Sequence, residues 1–203
     1  MAARYAATHA FPLVEQDTSR AIGAAMWGNA ILTRDPLASG FALGLPRAGD
    51  DDFVEPPGAD HAFAGIRYRD TEPGHRESRC VVGGTVGGIG LATTHLTYIG
   101  HDQRRRQADA VRAAVRRFSG PLVLTGDVNA PLGSPELAPF GAGLIDAFAA
   151  VGIGPDDPAR RTCGPWPIDQ VILRDLAVEG CRVATEAGDA SDHWPVVVDL
   201  RRP

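Results

Sequence analysis

Several polar side chains that can bind metals or transfer protons stand where predicted strands begin or end. These residues are His95, Asp127, Asn129, Asp169, Asp192 and His193. Carboxylate and amide oxygens are the ligands that a hard divalent cation prefers, and such a cation stabilises charge on phosphoryl oxygens. An imidazole with a pKa of ~6.5 exchanges protons with water near neutral pH. Gathered at one sheet edge, these groups would support metal-assisted attack of water on a phosphate ester.

Each of these residues also has a purely structural interpretation. An Asp or Asn after a strand usually belongs to a turn or caps a helix, and this alternative applies to Asp127. His95 would then be a hydrogen-bonded histidine at a strand end, and Asp192 would cap a turn before Pro195. The chemical interpretation is favoured because the set occurs together and in order. Asp146 is better explained as part of a short helix.

The strand and helix that precede Asp127 are the clearest predicted elements. A short apolar run at 121–125 stops at Gly126-Asp127, as expected of a buried strand that delivers polar residues to its end. Before it, apolar residues spaced by three and four predict a helix over 101–118, with Asp102 as its N-cap. The arginine run 104–106 predicts a solvated helix face; phosphate binding is the alternative.

The other elements follow from β-rich runs and turn signals. Runs at 80–86 and 89–96 across Gly87-Gly88 predict a hairpin. Further strands are predicted at 27–33, 168–173, 177–183 and 195–200. Short helices are predicted from Ser134, with Pro135 at the first helical position, and over 144–151. Residues 47–57 are expected to form a surface loop.

Composition limits the classes of protein to consider. The chain has 203 residues, 44% of them hydrophobic, which predicts one domain spanning 1–203. The net charge of −5 argues against non-specific coating of nucleic acid, which needs dense basic charge, although a nuclease with a local basic cleft remains compatible. No signal peptide or membrane span is recognised, so a cytoplasmic location is expected.

Competing site types lack their motifs. A nucleophile elbow of the form G-x-S-x-G is absent, and a phosphate-binding P-loop needs a lysine, a residue type that this sequence does not contain. Three widely spaced cysteines, Cys80, Cys163 and Cys181, include no C-x-x-C pair and are interpreted as small core residues.

Four motifs in this order resemble the endonuclease/exonuclease/phosphatase family. They are Thr94-His95-Leu96, Gly126-Asp127-Val128-Asn129, Ile168-Asp169-Gln170-Val171-Ile172 and Ser191-Asp192-His193. Lesser signatures at 28–34 and 76–79 extend the resemblance from about Gly28 to the end. The resemblance implies an α/β (α+β) fold, a four-layer α/β/β/α sandwich with two mainly antiparallel β-sheets. Each motif alone is weak, and the order makes the signal specific.

The resemblance also implies roles for the catalytic groups. His193 would be hydrogen-bonded to Asp169 and would activate water. His95 would pair with Glu77 and contact the phosphate. Asp127 and Asn129 would position the nucleophile and the phosphate, and whether Asp127 or His193 removes the water proton stays open at this point.

The implied cofactor is Mg²⁺ or Mn²⁺. Its ligands would be Asp192, Asp127 and Asn129. The implied substrate is a phosphoester, either nucleic acid, a phospholipid head group or a small phosphorylated metabolite. The loops 47–69 and 153–167 would choose among these substrates.

The beginning of the family pattern is not recognised in this sequence. Relatives start with a strand, a helix and a second strand that ends in a metal-binding Glu, whereas Glu15 lies too near Gly28 for that role. We therefore expect an N-terminally incomplete fold with weak metal binding and low activity. The alternative is a non-catalytic remnant or binding domain of the same fold.

Overall fold

The computed structural model describes the backbone of residues 2–14, 21–46, 62–63, 66–67, 79–98 and 100–202, with side chains described at 28–46, 79–98 and 100–202. Glu77, the predicted loop 47–57 and most of the loop 47–69 lie outside the described residues.

The strands, in chain order, are β1 Ala2–Val14, β2 Ala21–Thr33, β3 Ala38–Gly44, β4 Ala62–Phe63, β5 Ile66–Arg67, β6 Cys80–Val86, β7 Ile89–His95, β8 Leu122–Asp127, β9 Ile145–Asp146, β10 Asp169–Arg174, β11 Ala177–Val183 and β12 Val196–Arg201. The α-helices are α1 His101–Val115, α2 Ala138–Gly141 and α3 Ala147–Ala150. Single 3-10 turns occupy Pro135–Leu137 and Pro158–Arg160, and the 3-10 segment Thr185–Ala190 is kinked at Gly188 and Asp189.

A six-stranded sheet with the order β3-β6-β7-β8-β10-β9 forms the centre of the fold. Adjacent strands in this sheet are antiparallel except for β7 and β8, which run parallel. The parallel pair is possible because α1 carries the chain back along the sheet between these two strands. The predicted hairpin of β6 and β7 is confirmed. Gly87 and Gly88 form its turn with φ of 54° and 81°, values that residues with a Cβ rarely adopt.

Helix α1 covers one face of this sheet. Ala108, Val111 and Val115 are fully buried in a core shared with Leu122 and Leu124 of β8, so the predicted apolar face is confirmed. The predicted N-cap is wrong, because Gly100 occupies that position and no side chain caps the helix.

The predicted solvated face of α1 is also wrong at Arg104. Its side chain is buried, and its Nη1 lies 2.7 Å from Glu136 Oε1. The guanidinium also donates to the carbonyl oxygens of Thr97 and Tyr98, at 3.0 and 2.7 Å. Through these charge-assisted hydrogen bonds, the buried guanidinium connects α1 to the segment that follows β7. Arg105 and Arg106 remain exposed as predicted.

Two hairpins cover the opposite face of the large sheet. Strands β1 and β2 pair with each other and pack near β6 and β7, where Ile31 and Val82 are buried together. Strands β11 and β12 pair and pack near β10, around Leu173 and Val171. The fold is thus mixed α/β with one large sheet and smaller sheets, which confirms the predicted fold class. Strand β1 had no counterpart among the predicted strands, since its alanine-rich sequence has low β propensity.

Several short elements differ from their predictions. The predicted helix 144–151 is instead β9 followed by α3, whose N-cap Asp146 accepts a hydrogen bond from Phe148 N and pairs with Arg160 at 2.7 Å. Ser134 occupies the predicted N-cap position of a 3-10 turn but makes no side-chain capping bond.

Among the helices of the described ranges, none has the length and apolar character required to cross a bilayer. The cytoplasmic location and the single domain 1–203 stay predictions.

Candidate active site

Three neighbouring strands of the large sheet place His95, Asp127 and Asp169 in one row. His95 ends β7 and stands in register with Asp127 at the end of β8. Asp127 is in turn paired with Asp169, the first residue of β10. Residues directly opposite on adjacent strands project to the same face of a sheet. The three side chains therefore converge although 74 residues separate the first from the last.

The backbone around Asp127 is shaped for this arrangement. A Cβ on Gly126 would lie 2.3 Å from the carbonyl oxygen of Thr94, so only glycine allows β7 and β8 to approach this closely here. Asn129 adopts a positive φ of 52°, which Asn tolerates better than most residues. Its backbone N–H donates to Asp127 Oδ1 at 2.9 Å, and its Nδ2 donates to the carbonyl oxygen of Leu96 at 2.9 Å.

His193 reaches the row from the segment that precedes β12. Its Nδ1 lies 2.7 Å from Asp169 Oδ2, which is the hydrogen bond that the family resemblance implies. Its Nε2 lies 4.0 Å from Asp127 Oδ2, and His95 Nε2 lies 3.3 Å from that same oxygen. Asp127 Oδ2 is therefore shared between two imidazole rings, and all four side chains are only 15–24% exposed.

Thr162 holds the two halves of the His193–Asp169 pair together. Its carbonyl oxygen accepts a hydrogen bond of 2.7 Å from Trp194 N, directly after His193. Its Oγ1 accepts a hydrogen bond of 3.2 Å from Asp169 N. Because Thr162 is fully buried, these contacts fix the spacing between the carboxylate and the imidazole that it orients.

Burial and neighbouring charges set different protonation states in this site. Desolvation, followed by repulsion from Asp169, raises the pKa of Asp127 to about 6. Desolvation, followed by the positive charges of Arg79 and His193, lowers the pKa of His95 to about 3. The hydrogen bond that His193 donates to Asp169 raises the pKa of His193. Near neutral pH the arrangement thus contains an ionised Asp127 and a neutral His95, and the charged form of His193 is stabilised relative to that of a free imidazole.

The donor atoms of the site fit a divalent cation. One ligand atom from each of Asp127, Asp169 and His193 lies within 4.8 Å of the others. Two carboxylates this close repel each other, and an oxygen-seeking cation relieves that repulsion. Asp192 is exposed and lies in a second group with His193 and Cys163. The side-chain nitrogen of Asn129 donates to the carbonyl oxygen of Leu96, so Oδ1 is the side-chain atom of Asn129 that could bind a cation.

Sequence reasoning missed three residues around this site. Arg79 is buried and close enough for its charge to affect the pKa values of His95 and Asp127. Thr162 bridges the segments that carry Asp169 and His193, and Cys163 lies in a group of side chains that could hold a metal ion rather than only in the core. Arg79 stands directly before β6 and carried a weak signal through the 76–79 signature. Neither Thr162 nor Cys163 carried one.

Solved structures share this fold. An endonuclease/exonuclease/phosphatase from Bacteroides vulgatus aligns with a TM-score of 0.56 at 18% identity, over 96% of this chain and 76% of that chain. The human Nocturnin catalytic domain aligns with a TM-score of 0.57 at 13% identity, over 98% and 71%. A mannosyl-6-phosphatase from Bacteroides thetaiotaomicron aligns with a TM-score of 0.55 at 18% identity, over 98% and 77%. At these identities the likeness shows the fold alone.

Sequence comparison identifies the family. Two Vibrio cholerae proteins, each named UPF0294 protein, are 30% identical over 119 residues, which is 56% of this chain and 39% of theirs. The chain thus spans about two fifths of the length of these curated relatives. The sequence profile of the Endonuclease/Exonuclease/phosphatase family matches residues 4–193, almost the whole chain and all four motifs. The chain therefore belongs to the endonuclease/exonuclease/phosphatase family.

Proposed function

We propose that this chain is a metal-dependent phosphoester hydrolase that acts on phosphodiesters. The observation that carries the proposal is the row of His95, Asp127 and Asp169 across three strands, with His193 bonded to Asp169 above it. Endonucleases, exonucleases and phosphatases, the activities in the family's name, all hydrolyse phosphoesters. Together with His193, the row would supply a base, a proton donor and oxygen ligands within one small volume.

Asp127 is the group that we assign to the attacking water. Its Oδ1 is held by Asn129 N at 2.9 Å, while Oδ2 faces the imidazoles. With a pKa of about 6, the carboxylate is ionised at neutral pH and is more basic than an ordinary Asp. These are the properties of an efficient general base.

We assign a protonated, positively charged state to His193. The hydrogen bond to Asp169 raises its pKa and orients the ring, so the imidazolium can donate to a phosphoryl oxygen as negative charge develops there. His95 is neutral at working pH, so it contacts the phosphate by hydrogen bonding without adding positive charge.

The residues that would hold the divalent cation are Asp127, Asn129 and Asp192, and we propose Mg²⁺ or Mn²⁺ because their side-chain donors are hard oxygens. When bound, the cation supplies further stabilisation of negative charge on the phosphoryl oxygens.

A pocket lined by Trp194, the residue after His193, supports a diester substrate. It has a volume of about 360 Å³, and its lining includes Trp194, Arg161 and Arg182. The Arg161 guanidinium and an aromatic ring in one pocket suit a second anionic group, such as the next phosphate of a nucleic acid or an anionic head group, whereas Arg182 is already paired with Glu186 at 2.5 Å. A simple monoester has no such group to place there.

The test is hydrolysis of a p-nitrophenyl phosphodiester with Mg²⁺ or Mn²⁺. We expect His193→Ala to lower kcat by at least ~10²-fold, the usual contribution of a positioned proton donor. His101→Ala is the control, because that ring is 84% exposed and contacts Glu136 outside the row. Plasmid DNA, abasic oligonucleotide, sphingomyelin and inositol phosphates then identify the substrate class. Full activity of His193→Ala would refute the proposal, and inertness toward every substrate would favour the non-catalytic binding domain.

A further inference from the structure

A second group of side chains of metal-ligating types lies beside the proposed catalytic row. One ligand atom each from Cys163, Asp192 and His193 lies within 4.8 Å of the other two. Cys163 is fully buried, His193 is half-buried and Asp192 is exposed. The group therefore extends from the interior to the surface, which gives a cation a path to the thiol.

The backbone holds these three residues together firmly. Cys163 forms a β-bridge with Trp166, with reciprocal N–H to carbonyl contacts of 3.1 and 2.9 Å. The neighbouring Thr162 is bonded through its carbonyl oxygen to Trp194 N at 2.7 Å. Segments about 30 residues apart in sequence are thereby locked side by side, so the proximity of the three ligands is built into the main chain.

The donor set differs in kind from the oxygen ligands proposed for Mg²⁺. A thiolate, an imidazole and a carboxylate are ligands typical of Zn²⁺, whereas Mg²⁺ seldom accepts sulfur. Tetrahedral bonds of ~2.0–2.3 Å place Zn²⁺ ligands roughly 3.5 Å apart. Movements of about 1 Å by these side chains would bring the three ligand atoms to that separation. Asp169 bonded to Nδ1 of His193 also supplies the carboxylate partner that zinc-bound histidines usually have.

We propose that Cys163, Asp192 and His193 form an inhibitory Zn²⁺ site. Binding releases two protons to water, one from the Cys163 thiol and one from Nε2 of the His193 imidazolium, and forms a sulfur–zinc and a nitrogen–zinc bond in their place. It also removes His193 and Asp192 from the phosphoester reaction. The binding of zinc is independent of the proposed function, while the inhibition rests on it.

Cobalt(II) tests the site without any assay of activity. Co²⁺ occupies zinc sites, and a thiolate ligand gives it an intense near-ultraviolet charge-transfer band. We expect a band in the wild-type protein that saturates at one equivalent of Co²⁺. Cys163→Ala should abolish the band. Cys181→Ala should keep it, because Cys181 is a partly buried free thiol outside the group.

Zinc inhibition is measured separately. In the presence of millimolar Mg²⁺, micromolar Zn²⁺ should lower phosphodiester hydrolysis at least ~10-fold in the wild type and in Cys181→Ala, and should leave Cys163→Ala uninhibited. Absence of all hydrolysis would contradict the proposed function, and the cobalt experiment would then be the test of the zinc site. No band in the wild type, or a band that survives in Cys163→Ala, would overturn the site. If circular dichroism shows that Cys163→Ala is unfolded, Cys163→Ser replaces it, since an oxygen ligand gives no such band.

Discussion

Individual side chains in this site take protonation states that are set by their neighbours. Asp127 loses water and faces Asp169, while His193 gains that same carboxylate as a hydrogen-bond partner. One residue, Asp169, therefore raises the pKa of both the proposed base and the proposed donor. Activity should require an ionised Asp127 and a protonated His193, which gives a bell-shaped pH profile.

Replacement of Asp169 tests this arrangement. Asp169→Asn removes the main cause of the raised pKa of His193, and it removes a neighbouring negative charge that raises the pKa of Asp127. Both pKa values should therefore fall. We expect both limbs of the kcat/KM profile to move to lower pH, with a lower maximum. Asp189→Asn, an exposed change near the same segment, should leave the profile in place. An alkaline limb that does not move would contradict a protonated His193.

The raised pKa of Asp127 should also lower the stability of the folded protein. Its pKa is about 6 in the fold against an ordinary 3.8, so the native state binds the proton more tightly than the unfolded chain. Unfolding free energy then falls as pH rises through this window and stays low above it. In metal-free buffer at about pH 8, Asp127→Asn should be more stable by up to about 3 kcal/mol, and inactive.

Thermal unfolding with EDTA measures this effect. Asp109→Asn, an exposed change on α1, should match the wild type at both pH values. At about pH 4 the gain of Asp127→Asn should largely vanish, because the wild-type carboxyl is then protonated in the native state. A gain of equal size at both pH values would show that charge is not its cause.

Among the elements, α1 depends on a buried ion pair as well as on its apolar face. Arg104 joins the helix to Glu136 and to the carbonyl oxygens of Thr97 and Tyr98. Lysine is a point charge and cannot reproduce this set of contacts. The segment it holds directly follows His95, so the position of the helix and the position of the site are connected.

We expect Arg104→Lys to destabilise the protein by about 1–3 kcal/mol, because buried acceptors lose their donors. Chemical denaturation measures the loss. The matched control is Arg105→Lys, which changes an exposed neighbour on the same helix and should stay within about 0.5 kcal/mol of the wild type. Equal stability of the two variants would mean that the buried pair contributes nothing net.

At the scale of the whole molecule, the proposed cation should bind at a specific site that exists only in the folded protein, beyond any general attraction to its negative net charge. The site lies between the large sheet and the segment before β12, so a ligand held by Asp127 and Asp192 joins parts that separate on unfolding. Anything that binds only the native state raises the unfolding temperature. A net charge of −5 also attracts cations weakly and non-specifically, which requires a charge-matched control.

Millimolar Mg²⁺ should raise the Tm by a few degrees, as measured by differential scanning fluorimetry. Asp192→Asn should lose most of that increase, and Asp109→Asn, with the same change in net charge, should keep it. Identical increases in both variants would indicate non-specific binding. No increase in the wild type would favour the non-catalytic domain anticipated as the alternative.

Parts of the fold were predictable because their signals are local. Gly87-Gly88 marks the turn between β6 and β7, and the apolar spacing of α1 predicts its buried face. Strand β1 and the burial of Arg104 were not predictable in this way. The first depends on pairing with β2, and the second on Glu136, 32 residues away.

The sequence by itself determined the chemical types of the site and their place at strand ends, because motifs such as Gly126-Asp127 combine a backbone requirement with a functional side chain at one location. Only the tertiary structure decided which ionisable side chains lie close enough to shift one another's pKa values and which lie close enough to bind one cation together. The register of three strands places Asp127 between His95 and Asp169, and a backbone bond from Trp194 to Thr162 brings Cys163 to His193. These distances result from long-range pairing, and no local pattern encodes them.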